Sequence, residues 1–293
     1  MIKEQIGFGT GRIPRKNLTK ILNIVLNNNY TLIDTGDAYD NEDLIGECVN
    51  SHKNKDNIKI ITKYFGGKNF GKENDIINCY KQSCEKLKRI PDIYLIHMPG
   101  PCKFKKDKGW VFIDDNYNYN YQLRINCWKE LLSLKNQNLV KNIGVSNWTY
   151  EQLLEIENLG LPDIIEIEWC PCYKNIKLYE YCNQKNILIV GYGNVKRLIN
   201  FSRYKGNLED FELNKNLLIK LEKKYKKTMI EIILTWCRQL NIITIPSSQN
   251  EEHIIKNIQN YEKNIFNLEK EDIELLNNFK QVIKGHSLDN IIN

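Results

Sequence analysis

Leu32-Ile33-Asp34-Thr35-Gly36-Asp37-Ala38-Tyr39-Asp40-Asn41-Glu42 is the stretch from which the fold can be read. An apolar run over residues 31–33 ends in Asp34, and Tyr39 follows in a short polar turn before a helical pattern begins. Strands of a parallel barrel deliver reactive groups in this way. A carboxylate at the strand end is held on a rigid element, and a phenol in the following loop leans over the same mouth. Two later runs repeat the arrangement: residues 58–62 end in Lys63, and residues 93–96 end in His97. Taken singly, Asp34 could be a strand-end cap, Lys63 a surface charge and His97 a satisfied polar residue. Three strand ends in succession, with complementary chemistry, point to a site.

Outward from this stretch, strand and helix alternate. Residues 6–10 form a strand and turn before a helix whose Leu18, Ile21, Leu22, Val25 and Leu26 recur at helical spacing. Residues 31–33 precede a helix near 42–51, and residues 58–62 one near 76–87. Residues 93–96 lead through a long irregular segment, 99–121, to a helix near 123–134. Strand patterns at 143–145, 164–168, 187–190 and 242–245 follow, each with helical sequence behind it. Eight such units without a linker predict an α/β fold, a single-domain (β/α)8 TIM barrel over residues 1–293, rather than a doubly wound sheet. Extra helical sequence at 214–240, after an exposed connection at 196–211, separates the last two strands. A further helix and an irregular end fill 269–293. Residues 99–121 and 280–293 are expected to border the substrate cleft.

With 42% hydrophobic and 27% charged residues, and no apolar run near the ~18 residues of a membrane span, the composition is that of a soluble protein with no membrane partner. Lys3 and Glu4 stand where a signal peptide needs an apolar core, so a cytoplasmic location is expected. Nine cysteines without a disulfide framework's spacing suit a reducing compartment. Cys170-Pro171-Cys172 has one residue too few between thiols for a zinc knuckle and reads as a reduced structural pair. The net charge of +6 is modest. The lysine clusters at 103–108 and 223–227 lack aromatic interleaving, so nucleic acid is not an expected partner. A monomer or weak oligomer is expected. Gly66-Gly67-Lys68 lacks phosphate-loop spacing. Only His52, His97, His253 and His286 are available, which gives a metal-dependent hydrolase poor support, and no metal site is assigned.

Asp34, Tyr39, Lys63 and His97 make a coherent catalytic set. A phenol of pKa ~10 is a poor acid or base at neutral pH unless a cation stabilises its phenolate. Lys63 can supply that charge, Asp34 can keep Lys63 protonated, and His97 can hold a substrate oxygen through a ring N–H. The device protonates a carbonyl oxygen while something else attacks the carbon. No protein nucleophile is evident, so a cofactor hydride is the natural reductant.

These residues resemble the aldo-keto reductases over nearly the whole chain. The likeness is carried by G-F-G-T at 7–10, I-D-T-x-x-x-Y-x-N-E at 33–42, T-K at 62–63, L-I-H-M-P at 95–99 and G-V-S-N-W at 144–148. The resemblance implies a barrel binding NADP(H) or NAD(H) across its C-terminal mouth, and a small-molecule carbonyl substrate. It makes Tyr39 the general acid, has Lys63 and Asp34 tune it, and has His97 orient the carbonyl. Gly9, Thr10 and Asp34 would border the cofactor. Ser146 and Asn147 would bind its carboxamide, and Tyr192 beside Gly193 would stack on the ring. Trp128 reads as helix core.

Three departures accompany the resemblance. Glu166 stands where the family usually has Gln, and its charge would favour oxidised nicotinamide unless it is protonated. Pro246-Ser247-Ser248 and His253 replace a Lys and an Arg that clamp a 2′-phosphate, leaving Ser248 and Asn257 as adenosine-side contacts and Lys256 as partial compensation. The choice between NADPH and NADH therefore stays open. Gly11 and the Lys63-Tyr64-Phe65 stretch lack some of the bulky aromatics that often line the substrate cleft, so the substrate class does not carry over from the resemblance. The alternative reading is a nicotinamide-binding sensor or interaction protein with little turnover.

Overall fold

Runs of β-branched residues favour extended chain. The computed structural model describes residues 5–105, 109–114, 116–199, 201–204, 206–263 and 265–282. In it these runs become β1 (Phe8–Gly9), β2 (Leu32–Asp34), β3 (Lys59–Tyr64) and β4 (Ile93–Ile96), then a separate antiparallel ribbon of β5 (Cys102–Lys105) and β6 (Gly109–Phe112). β7 (Asn142–Ser146), β8 (Ile164–Glu168), β9 (Leu188–Tyr192) and β10 (Ile242–Thr244) complete the main sheet. Its eight strands run in the order β1-β2-β3-β4-β7-β8-β9-β10, each parallel to its neighbour. Ile6 bridges Thr244 in parallel, and Gly7 N donates to Thr244 O at 2.7 Å. That contact closes the sheet into the expected (β/α)8 barrel. At the seam Gly9 N donates to Pro246 O at 3.2 Å, and a Cβ on Gly9 would lie 2.9 Å from Ile245 O. The close approach of the two strands requires glycine here.

The strand period of two decides what faces the barrel axis. Leu32, Ile61, Ile93, Leu95, Ile164, Val190, Ile243 and Ile245 form one buried interior cluster. The alternate residues Ile33, Ile60, Ile143, Ile165 and Ile189 pack outward in the clusters shared with the helices. Two residues beyond Leu32, Ile61, Leu95, Ile164 and Val190 come Asp34, Lys63, His97, Glu166 and Tyr192. The apolar interior thus forms the floor on which five polar side chains stand at the C-terminal mouth.

Helices lie where periodicity predicts them. Arg15–Asn27 buries the five expected apolar positions, and Glu42–Ser51 and Asp75–Leu87 follow their strands. Segment 99–121 departs from expectation because it contains the β5–β6 ribbon, registered Cys102 opposite Phe112. Cys102 packs with Met98, Phe65 and Phe112 in a small cluster beside the mouth. The helix after it begins at Tyr117, earlier than expected, because the Asn116 side chain caps it by accepting from Tyr119 N at 3.0 Å. Connection 196–211 includes the short helix Phe201–Tyr204 and the start of Leu208–Tyr225. The extra helical sequence is therefore two helices, the second, Met229–Gln239, opened by a capping box from Thr228 and Glu231.

A helix at Lys270–Asn277 follows, and Val282 N donates to Cys172 O at 2.9 Å, bringing residue 282 to the loop after β8. The remainder of the 280–293 tail lies outside the described residues, as does part of the 103–108 lysine cluster. Trp128 is core, fully buried with its Nε1 donating to Gly160 O at 2.9 Å. All nine cysteines are free, and the buried Cys170 and Cys172 sulfurs are 3.5 Å apart. Among the described residues no helix is long and apolar enough to cross a membrane.

One buried ion pair ties the loop after β4 to the outer helices. Arg124 makes two 2.6 Å bonds to the Glu155 carboxylate and donates to Pro99 O at 3.1 Å. Removing one partner of a buried pair strands the other charge, at a cost of about 3–5 kcal/mol. Arg124→Met should therefore lower unfolding free energy by roughly 3 kcal/mol in urea titrations. A loss below about 1 kcal/mol would mean that water reaches and solvates Glu155.

Candidate active site

The loop carrying Tyr39 is held by the residues around it in the quoted stretch. Thr10 N and Oγ1 both donate to Asp34 O, at 3.0 and 2.8 Å. Asn41 donates to Thr10 Oγ1 at 3.2 Å and accepts from Thr35 Oγ1 at 2.6 Å. Buried Glu42 accepts from Thr62 Oγ1 at 2.6 Å. Asp37 accepts from Phe65 N through both oxygens at 3.1 Å, and burial pushes its pKa up to about 7 despite that bond. The turn is thereby fixed to β1, β2 and β3 together. Gly11 lies under the Tyr39 ring, where a Cβ would come within 2.9 Å of Cζ.

At the mouth Lys63 is fully buried. Its Nζ donates to Asp34 Oδ1 and, at 2.7 Å, to Thr35 O, and lies 3.3 Å from Glu166 Oε1. Burial opposes the ammonium charge, but Asp34 and Glu166 outweigh it and raise the Lys63 pKa. Tyr39 stands over this pair, its ring centroid 5.3 Å from Nζ and its hydroxyl 3.4 Å from His97 Nε2. Burial raises the phenol's pKa; Lys63 pulls it down, and Asp34 and Glu166 push it up again. Burial and then Lys63 lower the His97 pKa to about 3, so the ring is neutral. Its Nδ1 is buried without a partner, which leaves Nε2 as the nitrogen that meets the site.

The residues expected to take a carboxamide stand beside these four. Ser146 is in register with Glu166 across β7 and β8. Asn147, at φ 64°, donates to His97 O at 3.0 Å and Ser146 Oγ at 3.1 Å, and accepts from Tyr192 O–H at 2.6 Å. Glu166 Oε2 is buried and meets no hydrogen-bond partner. A primary carboxamide offers N–H donors and a carbonyl acceptor, so this set of acceptors and donors fits it. Gly193, at φ 67°, borders the same mouth. The other expected cofactor residues stand apart, past β10. Ser247 and His253 are exposed, Ser248 Oγ accepts from Asn250 N at 3.1 Å, and Asn257 is buried on the helix Glu251–Glu262. Gly9 joins the two groups, since its missing Cβ would sit 3.9 Å from Ser247 Cβ.

Sequence reasoning missed a second buried ion pair at this mouth. Arg197 Nε and Nη2 donate to Glu168 at 2.9 and 3.1 Å, and the guanidinium lies 4.0 Å from the Tyr173 ring centroid. The signal was present in Ile164-Ile165-Glu166-Ile167-Glu168, where alternation turns both glutamates toward the interior.

Comparison with known proteins agrees with this geometry. The profile described as "Aldo/keto reductase family" matches residues 5–281. Aldo-keto reductase family 1 member D1 of Mus musculus is 30% identical over 285 residues, covering 93% of this chain and 87% of its own. The aldose reductase from Schistosoma japonicum superposes with a TM-score of 0.80 at 24% identity, covering 98% of this chain and 92% of that one. A Gox0644 variant in complex with NADPH gives 0.76 at 23% identity, with coverages of 96% and 91%. At these identities the structural likeness speaks for the fold.

His97 provides a test of the site's dryness. Between pH ~6.5, where an exposed histidine titrates, and its lowered value of about 3, the unfolded chain binds a proton here that the folded chain does not. Stability from this group is intact above pH ~6.5 and is lost as pH falls, by up to about 1.4 kcal/mol per unit. Wild type should lose stability more steeply than His97→Gln between pH ~6 and ~4 in denaturant titrations. Parallel profiles would mean that the ring is hydrated.

Proposed function

The chain belongs to the aldo/keto reductase family, and from that premise we propose that it reduces an aldehyde or ketone with nicotinamide as cofactor, Tyr39 protonating the carbonyl oxygen. One observation carries the reading: a fully buried Lys63 held between two carboxyl groups beneath a phenol that lies 3.4 Å from a neutral histidine. When bound, NADPH or NADH supplies the hydride. Ser146, Asn147 and Glu166 would hold its carboxamide, and Tyr192 would lie against the ring. His97 Nε2 orients the carbonyl, Tyr39 gives up its proton, and Lys63 stabilises the phenolate at that moment. The apolar patch of Phe65, Met98, Cys102 and Phe112, with Phe65 6.0 Å from the His97 ring, makes the ribbon in 99–121 a wall of the cleft. Small apolar or aromatic carbonyl compounds suit that wall.

At the adenosine end the chain offers a 2′-phosphate little positive charge. Ser247 and His253 stand where the family's cations are expected. Lys256 is paired with Glu252 at 2.6 Å, and Glu251 and Glu252 occupy the first turn of their helix. A charge-assisted hydrogen bond contributes about 1.5–3 kcal/mol. Without one, NADPH should bind less than about tenfold tighter than NADH. Titration of tryptophan fluorescence with each cofactor measures the ratio, and a hundredfold preference for NADPH would reveal a cation that this reading overlooks.

Tyr39→Phe should cut turnover of an aldehyde panel about 10²–10⁴-fold while cofactor affinity stays within about threefold. Wild type that binds cofactor tightly but turns over none of the panel would replace the reductase with the sensor reading.

A further inference from the structure

Three ionisable side chains from β2, β3 and β8 meet in the dry floor of the mouth. Lys63 Nζ donates to Asp34 Oδ1 and lies 3.3 Å from Glu166 Oε1, and all three residues are buried. One ammonium cannot neutralise two carboxylates, and an uncompensated charge is costly away from water. Asp34 and Glu166 thus meet the same ammonium, one from β2 and one from β8. Two carboxyls that share one ammonium away from water reach neutrality when one of them carries a proton. Asp34 holds the shorter contact with the ammonium, so the proton belongs to Glu166, whose pKa burial and then the facing Asp34 raise well above the ordinary carboxyl value.

Among the described residues Glu166 has no other partner of opposite charge. Tyr39 and Tyr192 face it with neutral phenols. Ser146 is its register neighbour on β7. Glu168 on its own strand is already paired with Arg197. Oε2 of Glu166 remains buried without a partner, beside the residues that suit a carboxamide.

We propose that Glu166 stores the proton that the carbonyl oxygen finally receives, and that its ionisation then balances the positive charge of the oxidised nicotinamide. The inference rests on the reductase reading above. Its balance closes on this chain's own groups. Hydride from the reduced cofactor goes to the carbonyl carbon, and the Tyr39 O–H bond breaks as the alcohol O–H forms. Lys63 returns a proton to the Tyr39 oxygen, and Glu166 returns one to Lys63. The net bond broken in the protein is the Glu166 O–H. Buried charge is unchanged, because one carboxylate appears as the nicotinamide becomes positive. Glu166 acts through Lys63 and is a positioning and proton-holding residue.

Calorimetric binding of NAD⁺ and of NADH at pH 7, repeated in two buffers of different ionisation enthalpy, counts the protons exchanged. Wild type should release about one proton more on binding NAD⁺ than on binding NADH. The ratio of the two dissociation constants should shift toward NAD⁺ by about tenfold per pH unit while Glu166 is ionised in only one complex. Glu166→Gln, which keeps shape and removes the carboxyl, should abolish both effects. Equal proton exchange for the two forms in wild type overturns the inference and leaves the reductase reading standing; that count needs no variant. A difference that persists in Glu166→Gln also overturns it, assigning the proton to Asp34. If neither form binds, the inference falls together with the reading it rests on.

Discussion

A lysine ammonium sealed from water is the constraint on which the mouth of this barrel depends. Burying an isolated ammonium costs far more than a domain's net stability, so Lys63 can sit where it does only if carboxyl groups meet it at hydrogen-bond distance. Asp34 and the Thr35 carbonyl supply that contact from the neighbouring strand, and Glu166 supplies a second carboxyl from across the barrel. Each contact is a statement about strand position. A slip of one residue in β2 or β3 would turn Asp34 or Lys63 outward, into the apolar layer shared with the helices. The chemistry and the register are thus enforced by the same charge pairing.

The apolar floor beneath the charges makes that enforcement possible. Leu32, Ile61, Leu95, Ile164 and Val190 fill the axis one layer below the polar ring and keep water from reaching Lys63 from beneath. Glycines permit the strands to approach closely enough. At Gly144 a Cβ would lie 2.0 Å from Ile164 O, and at Gly9 2.9 Å from Ile245 O. Burial lowers the His97 pKa and raises that of Tyr39, with Lys63 lowering both, so the ring stays neutral and the phenol stays protonated. Packing, in this sense, sets the protonation states on which the proposed reduction relies.

Much of this was legible in the chain because strand ends announce themselves. An apolar run that stops at Asp34, Lys63 or His97 fixes both the strand and the face on which the polar residue stands. All eight barrel strands follow from such runs. The β5–β6 ribbon did not, because its two strands are only four residues each and lysines interrupt the first of them, so no sustained apolar run marks it. The start of the helix at Tyr117 was hidden for a related reason: its first turn faces solvent and is fixed by Asn116, while apolar periodicity begins only near Leu123. The partnership of Glu166 with Asp34 and Lys63 was out of reach for another reason. It joins residues far apart in sequence, and only closure of the barrel brings them together. Periodicity reports which way a side chain points, and it is silent on what stands opposite.

Two departures that looked unrelated in sequence act in the same electrostatic direction under the proposed function. At the adenosine end, serine and histidine stand where fixed cations are expected, and Lys256 is bound to a glutamate. At the nicotinamide end, a carboxyl stands where a neutral amide is usual. Both changes make the mouth less attractive to negative charge, one through exposed positions and the other through a buried carboxyl. A proton on Glu166 removes the penalty at one end only while the cofactor is reduced. Such a mouth therefore discriminates most strongly against the most negative ligand, a phosphorylated cofactor in its reduced state, and becomes most hospitable to the unphosphorylated, oxidised one. A site built in this way ties the direction of the reaction and the ambient pH to one carboxyl group, and leaves the choice between phosphorylated and unphosphorylated cofactor to the adenosine end.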